Sequence, residues 1–312
     1  MKRKTIHFEF YQVYLHTDRR NQGDTAAVIF DLSGYLNQVV HLTPAHRTLQ
    51  YFEDQARLEI CSLIIDQNYP QPYWELLFVR RRLNERPGIS IDAGGYDLMD
   101  LPPGQTLAEF TTALYDPTLR VLCLQRNKHA LGKPGIERFF ERSYQQPGQE
   151  IELRPLLHPD RIGDLQNANI IRSIDVSFAN VNSVDLRGTS ATSPLATAVR
   201  SGRTAGSVTM SVSYSMGHTR SNMSMDRATT INDLAMLQHN IESNAVSSAK
   251  IKYKLTPEQR ASVLDLVKDK MVIPSIFEYE NPAELTPRLI FQRLRDQYFD
   301  ARLSIERRYA PR

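Results

Sequence analysis

Between Leu119 and Leu124 the chain reads Leu-Arg-Val-Leu-Cys-Leu, apolar on both parities. Such a run suits a strand covered on both faces, which only a fold with layers above and below a sheet provides. Thr106 to Tyr115 precedes it, rich in β-branched and aromatic residues, and Asp116-Pro117 supplies turn chemistry between the two. The pair predicts a hairpin running into a core. Its apolar run ends abruptly in Gln125-Arg126-Asn127-Lys128-His129. Gly132, Lys133, Pro134 and Gly135 then lead into a segment where Ile136, Phe139 and Phe140 recur at helical spacing beside Arg138 and Arg142. A buried strand that empties into a basic loop and a basic helix start can hold a binding surface rigidly. The competing reading is that Arg126 and Lys128 only solvate a loop.

A chain of 312 residues exceeds the ~250 at which single cores stop growing, which predicts two domains, 1–147 and 148–312. Hydrophobic residues at 41% and charged residues at 23% fit an ordinary globular protein. Net charge is only +3, so any surface for a polyanion must come from clustering. Cys61 and Cys123 lie in apolar runs and read as buried small hydrophobes. No Cys/His spacing suggests a metal, and no signal peptide or membrane-length apolar window occurs, so the expectation is a cytoplasmic protein without cofactor.

Along the first half, residues 5–16 alternate as a half-buried strand, with Ile6, Phe8 and Phe10 against His7 and Glu9. Asp31 or Ser33 is a plausible cap for a short helix, 49–66 holds one or two strands, and Trp74 to Arg82 is another strand ending in Arg80, Arg81 and Arg82. Beyond a break at 145–149 the composition turns to Ser, Thr and small residues. Glu150 to His158 and Ile170 to Phe178 read as strands, Pro194 to Val199 as helix. Ser207 to Met216 has the cleanest period of two in the chain, with Val208, Met210, Val212, Tyr214 and Met216 against hydroxyl residues. Asp226 or Thr230 caps a following helix. In 249–255, Ile251, Tyr253 and Leu255 face one way while Lys250, Lys252 and Lys254 face the other. Side chains on one strand face lie ~7 Å apart, close to a nucleic-acid phosphate repeat. A lysine row of this kind is either a phosphate-binding floor or the charged guard of an edge strand. Residues 260–271 fit either helix or strand, and Val272 to Tyr279 reads as a strand. From Thr286 to Tyr309 runs the longest helix candidate, its apolar stripe Ile290, Leu294, Tyr298, Ala301 and Ile305 either packing at home or pairing with a second copy.

Catalytic signatures are missing: no nucleophile elbow, phosphate-binding glycine loop or zinc-protease motif occurs. Asp92, Asp97 and Asp100 in a loop-rich stretch offer oxygen ligands that Mg²⁺ prefers, the basis of an alternative reading as a defence nuclease.

The run ALYDPTLRVLCLQRNKHALGKPGIERFF, with the opening HFEFYQVYLH, VIFDLSGYL and YWELLFVRRR, resembles the signature of an uncharacterised bacterial and phage-associated family of domain-of-unknown-function proteins. In layout, with its early FY strand, the EIELRPLL strand and the charged C-terminal helix, the chain is more distantly similar to the phage lambda exclusion protein RexA, and loosely to Kiwa-type DNA-binding defence subunits. The resemblance implies an α+β protein, with two domains built on largely antiparallel sheets and a long C-terminal helix. It implies a non-catalytic homodimer that binds DNA rather than RNA and takes part in anti-phage defence beside a partner protein, itself possibly membrane-embedded. A third reading is a structural subunit of a defence complex. On the residues themselves, the expected nucleic-acid contacts are Arg80, Arg81, Arg82, Arg126, Lys128, His129, Lys133, Arg138, Arg142, Lys250, Lys252 and Lys254. Leu294, Tyr298 and Ile305 are the expected oligomer contacts.

Overall fold

A computed structural model of the chain describes residues 1–17, 28–69, 71–83, 88–90, 96–99, 101–144, 149–158, 164–165, 167–186, 189–190, 192–217, 223–241 and 245–311. It is a mixed α+β fold with mostly antiparallel strands, and it divides into two compact units. The first takes 1–13, 29–153 and 273–312; the second takes 14–28 and 154–272. The C-terminal strand and helix thus return to the first unit.

The larger sheet holds β1 (Lys2–Thr17), β2 (Val28–Ile29), β3 (Thr48–Tyr51), β4 (Asp54–Ile64) and β5 (Tyr73–Arg82). A small ribbon, β6 (Gly88–Ser90) with β7 (Tyr96–Leu98), stands apart from it. The sheet continues with β8 (Leu107–Asp116), β9 (Val121–Gln125) and β10 (Gln149–Pro155), in the order β10-β1-β9-β8-β5-β4-β3. A later strand, Val272–Tyr279, joins β1 as well. Helices α1 (Ser33–Val39) and α2 (Lys133–Tyr144) belong to the same unit.

The β8–β9 hairpin forms as its sequence predicts, and every residue of β9 is buried. Strand β1 is more enclosed than its alternation suggests. Phe10, Tyr11, Gln12 and Val13 are all buried because β1 lies inside the sheet, with both its flanks paired. Position Arg120 closes the hairpin turn at φ 56°, a left-handed conformation that side-chain-bearing residues adopt at some cost. Neither expected cap acts at α1, whose N-cap is Leu32 without a side-chain bond. Asp31 instead accepts from the Ser33 amide at 2.9 Å and from the Tyr115 hydroxyl at 2.8 Å.

In the second unit, β11 (Ile170–Phe178), β12 (Met210–Ser215), β13 (Val246–Lys254) and β14 (Ser262–Asp265) form an antiparallel sheet in the order β12-β11-β13-β14. Helices α3 (Pro194–Thr204) and α4 (Arg227–Ile241) complete this unit. Pro194 occupies the first turn of α3, where its missing N–H costs nothing, and Ser193 caps it through the Ala196 amide at 3.0 Å. Asp226 receives the Thr229 amide at 2.7 Å and lies below the ordinary carboxylate value because of that bond, as a capping acid should. The apolar side of the sheet (Ile174, Val176, Phe178, Ala249, Ile251, Tyr253, Leu264) is buried. Asp233 of α4 is buried too, and holds the Ser193 hydroxyl at 2.5 Å. Burial raises the Asp233 carboxyl above its ordinary 3.8, the Ser193 bond opposing this only in part.

The last strand, β15 (Val272–Tyr279), precedes α5 (Pro287–Tyr309), which Thr286 caps through the Leu289 amide. Asp116, at the end of β8, anchors this helix. Its Oδ2 accepts from the Tyr298 hydroxyl and from Arg302 Nε, both at 2.8 Å, while its Oδ1 accepts from the Thr118 and Leu119 amides in the hairpin turn. Tyr298 also stacks on Phe10 with ring centres 6.2 Å apart.

Two outcomes follow from these buried carboxyls. Asp116→Ala takes from Arg302 its buried counter-charge, leaving only the part-exposed Glu306 at 3.1 Å, and opens the turn, so unfolding free energy should drop by about 3–5 kcal/mol in urea titration; a loss below about 1 kcal/mol would show that the helix is held elsewhere. A carboxyl whose pKa is raised on folding binds its proton more tightly when folded, so stability is lost as pH rises through the raised value. Asp233→Asn keeps an acceptor for Ser193 without the charge. Its stability relative to the parent should therefore increase as pH climbs above 3.8, and a constant difference from pH 3 to 7 would contradict this.

Candidate nucleic-acid interface

In the first unit the basic residues separate into those the fold consumes and those it leaves outside. Arg80 reaches the buried Asp54 at 2.7 Å and lies over the Tyr51 ring. Arg81, on the opposite face of β5, bonds Gln55 at 2.7 Å and Thr106 at 3.3 Å. Arg82 donates to the His129 carbonyl at 3.3 Å. Lys133 is buried against Glu137 at 3.3 Å, and the same carboxylate receives the Leu153 amide. Arg138 sits 4.5 Å from the centre of the Phe52 ring, and Arg142 donates to the Gln50 carbonyl at 2.7 Å. Each of these six has a structural task.

Arg126, Lys128 and His129 are exposed. Arg126, 67% exposed, has Glu9 of β1 at 3.6 Å. The loop behind them is rigidly built. The Arg126 amide bonds the His7 carbonyl, Asn127 bonds both the Phe110 carbonyl and the His129 amide, and Thr111 holds the Leu131 carbonyl. Gly135 serves close packing: a Cβ there would meet Leu131 and the Tyr51 hydroxyl at 3.0 Å.

The second unit presents a different surface. On the outward side of its sheet, register places Ser211, Ser177 and Ser248 in one row. Ser213, Asp175, Lys250 and Asp265 make the next row; Ser215, Ser173, Lys252 and Val263 make the third. Asp175 accepts from Ser213 at 2.5 Å and from Ser173 at 2.9 Å. Lys250 and Lys252 are exposed; Lys254 is not a third member, since its ammonium is bound to the Pro257 carbonyl at 2.9 Å. Strand β13 lies between β11 and β14, so these lysines do not guard a sheet edge. Lys250 has an acid on either side, whereas the Lys252 row contains no carboxylate. What alternation alone could not show is the serine contribution of β11, which completes the face.

The amino-acid sequence matches a family model along nearly the whole chain, from residue 1 to residue 308. The chain belongs to DUF6731, a family of unknown function. No curated protein matches it.

Leu294, Tyr298 and Ile305 are fully buried in the DUF6731 chain's own first unit, so the apolar stripe of α5 is spent on its own core and is closed to a second copy. Of the acidic loop, Asp92 and Asp100 lie outside the described residues, and Asp97 falls in β7. Among the described residues no group of three His, Cys, Asp or Glu side chains could hold a metal ion. Both cysteines are buried; burial pushes the Cys61 thiol up to about 11 and raises Cys123 also. Among the described residues no helix is long and apolar enough to cross a membrane.

The separation of structural from exposed cations has a direct consequence. Arg80→Ala leaves the buried Asp54 carboxylate without its partner and should cost about 1–3 kcal/mol, read as a lowered melting temperature. Lys128→Ala should melt with the parent. Equal melting of both variants would contradict the division.

Proposed function

We propose that this protein binds nucleic acid through its phosphates, DNA in preference to RNA, and does so with the outward face of the β12-β11-β13-β14 sheet. The observation that carries the reading is the exposed lysine pair Lys250 and Lys252 on an internal strand, on a face that also carries Ser173, Ser177, Ser211, Ser213, Ser215 and Ser248 in register. An uncovered, flat, hydroxyl-rich surface suits a polyanion: ammonium groups supply charge, and serine hydroxyls donate to phosphate oxygens without reading sequence. Asp175 works against a phosphate at Lys250, so Lys252 is the stronger contact. A second surface is the loop of Arg126, Lys128 and His129, favoured by its exposure and its fixed backbone. A setting in anti-phage defence, beside a partner protein, is proposed from the resemblance in element layout to RexA-type exclusion proteins and, more loosely, to Kiwa-type subunits; a non-catalytic role accords with the lack of catalytic motifs in the sequence.

Fluorescence anisotropy with single- and double-stranded DNA and RNA across a salt series tests this. Lys252→Gln should flatten the slope of log affinity against log salt by about 0.7–0.9, the share of one phosphate contact, and Lys250→Gln by less. Asp175→Asn removes one of the two carboxylates beside Lys250, leaving Asp265, and should tighten binding severalfold at low salt. Unchanged slope and affinity in both lysine variants would sink the sheet face. If Arg126→Ala with Lys128→Ala then weakened binding, the loop would take its place.

A further inference from the structure

The two edges of the small sheet are not alike. In an antiparallel ladder, residues alternate between those whose N–H and C=O point to the partner strand and those whose groups point away. On β14, the Leu266 amide bonds the Ala249 carbonyl, which leaves Asp265 pointing outward. That outward edge is closed at Asp265. The Asp265 amide donates to the Asp269 carboxylate at 2.9 Å, and its carbonyl accepts from the Lys268 and Asp269 amides at 3.0 and 2.7 Å. β14 is also only four residues long and carries a charge.

On β12 the same rule gives the opposite result. The Met216 amide bonds the Arg172 carbonyl, so Met216, Tyr214, Val212 and Met210 point to β11, and Ser211, Ser213 and Ser215 point outward. No described strand pairs with this side, and the outward main-chain groups of the three serines find no partner among the described residues. The strand has no charge, no proline and no register shift against β11, the devices by which sheet edges ordinarily avoid association. Val212 and Tyr214 on its other face are only half-buried, and Val208 just before it is 62% exposed.

We infer that β12 is a dimerisation edge, pairing antiparallel with β12 of a second copy about a two-fold axis at Ser213. This register brings Ser211, Ser213 and Ser215 opposite Ser215, Ser213 and Ser211 of the second copy, so every outward N–H and C=O of the strand is bonded. Parity is preserved, because residues directly opposite share a face. Serines meet serines on the outward side, and Val212 meets Tyr214 on the helix side, an aliphatic–aromatic pair of the kind that stabilises sheets. A second copy is the occupant that the strand itself matches: it brings the same unbonded main-chain row, and each facing pair from Ser211 to Ser215 is Ser with Ser or Val with Tyr. The resulting sheet is continuous across the axis. This interface is independent of the nucleic-acid reading and does not involve α5.

Sedimentation equilibrium of the intact chain, with two substitutions at the axis, decides it. The parent should be a dimer at micromolar concentration. Ser213→Lys sets two ammonium groups opposite one another and should give a folded monomer, its circular dichroism unchanged. Ser213→Cys places thiols on Cα atoms ~5.5 Å apart, inside the range a disulfide spans. Mild oxidation should therefore yield a covalent dimer, and Ser248→Cys, two strands away, should not. The two native cysteines are buried and leave the background low. A monomeric parent, a dimer that survives Ser213→Lys, or crosslinking equal at Ser213 and Ser248 would each overturn the proposal. A monomeric parent would also point to a strand of another protein as the occupant.

Discussion

One carboxylate ties the first unit together. Asp116 is nearly inaccessible, yet all its bonding capacity is used: two turn amides on one oxygen, a tyrosine hydroxyl and a guanidinium on the other. A buried charge of this kind is tolerable only when fully compensated, and the compensation comes both from its own turn and from the C-terminal helix, 182 and 186 residues further on. The hairpin turn needs Asp116 for its geometry, and α5 needs it for the neutralisation of Arg302. Without α5 the same carboxylate would face an apolar sheet surface. The helix is therefore part of the core that includes β8, β9 and Phe10, and its apolar stripe has no surface to spare.

The same accounting explains where the arginines went. Strand β5 ends in three of them, which invites a binding interpretation, but Arg80 and Arg81 lie on opposite faces of a pleated strand and cannot act together on one ligand. Each instead meets the acceptor that the neighbouring strand offers. A guanidinium is well suited to this, since its planar fork can bond a carboxylate while its face rests on an aromatic ring, as Arg80 does with Asp54 and Tyr51. Lysines behave differently here. Lys250 and Lys252 are exposed on the solvent face, whereas Lys133 and Lys254 are drawn into local bonds.

In the second unit the serine content has a structural logic. A four-stranded sheet whose outward face meets solvent favours polar side chains there, Val263 apart, and serine is small enough for neighbouring strands to bond across it. Asp175 collects Ser173 and Ser213 into a single network, and Ser177 meets Ser211 at 3.2 Å. The result is a surface that is polar but nearly flat. Its closed edge at β14 and open edge at β12 come from the ends of the strands and not from their middles. Asp265 and Asp269 turn back on the former, while nothing described turns back on the latter.

By itself the sequence determined the local elements: the doubly buried β9, the Asp-Pro turn, the alternation of β12 and β13, and the long capped C-terminal helix. These are short-range patterns in which periodicity reports burial directly. It also showed that no ready-made catalytic motif was present. Tertiary structure decided which strand stood inside a sheet and which at its edge, and hence that the lysines of β13 are not edge guards. It decided, too, that Leu294, Tyr298 and Ile305 face their own core. Periodicity shows that a stripe will be buried but not against what, because the partner surface is assembled from residues hundreds of positions away. For the same reason the division of basic residues into consumed and exposed was not legible: Asp54 and Glu137 had to be brought within reach before Arg80 and Lys133 could be seen as structural.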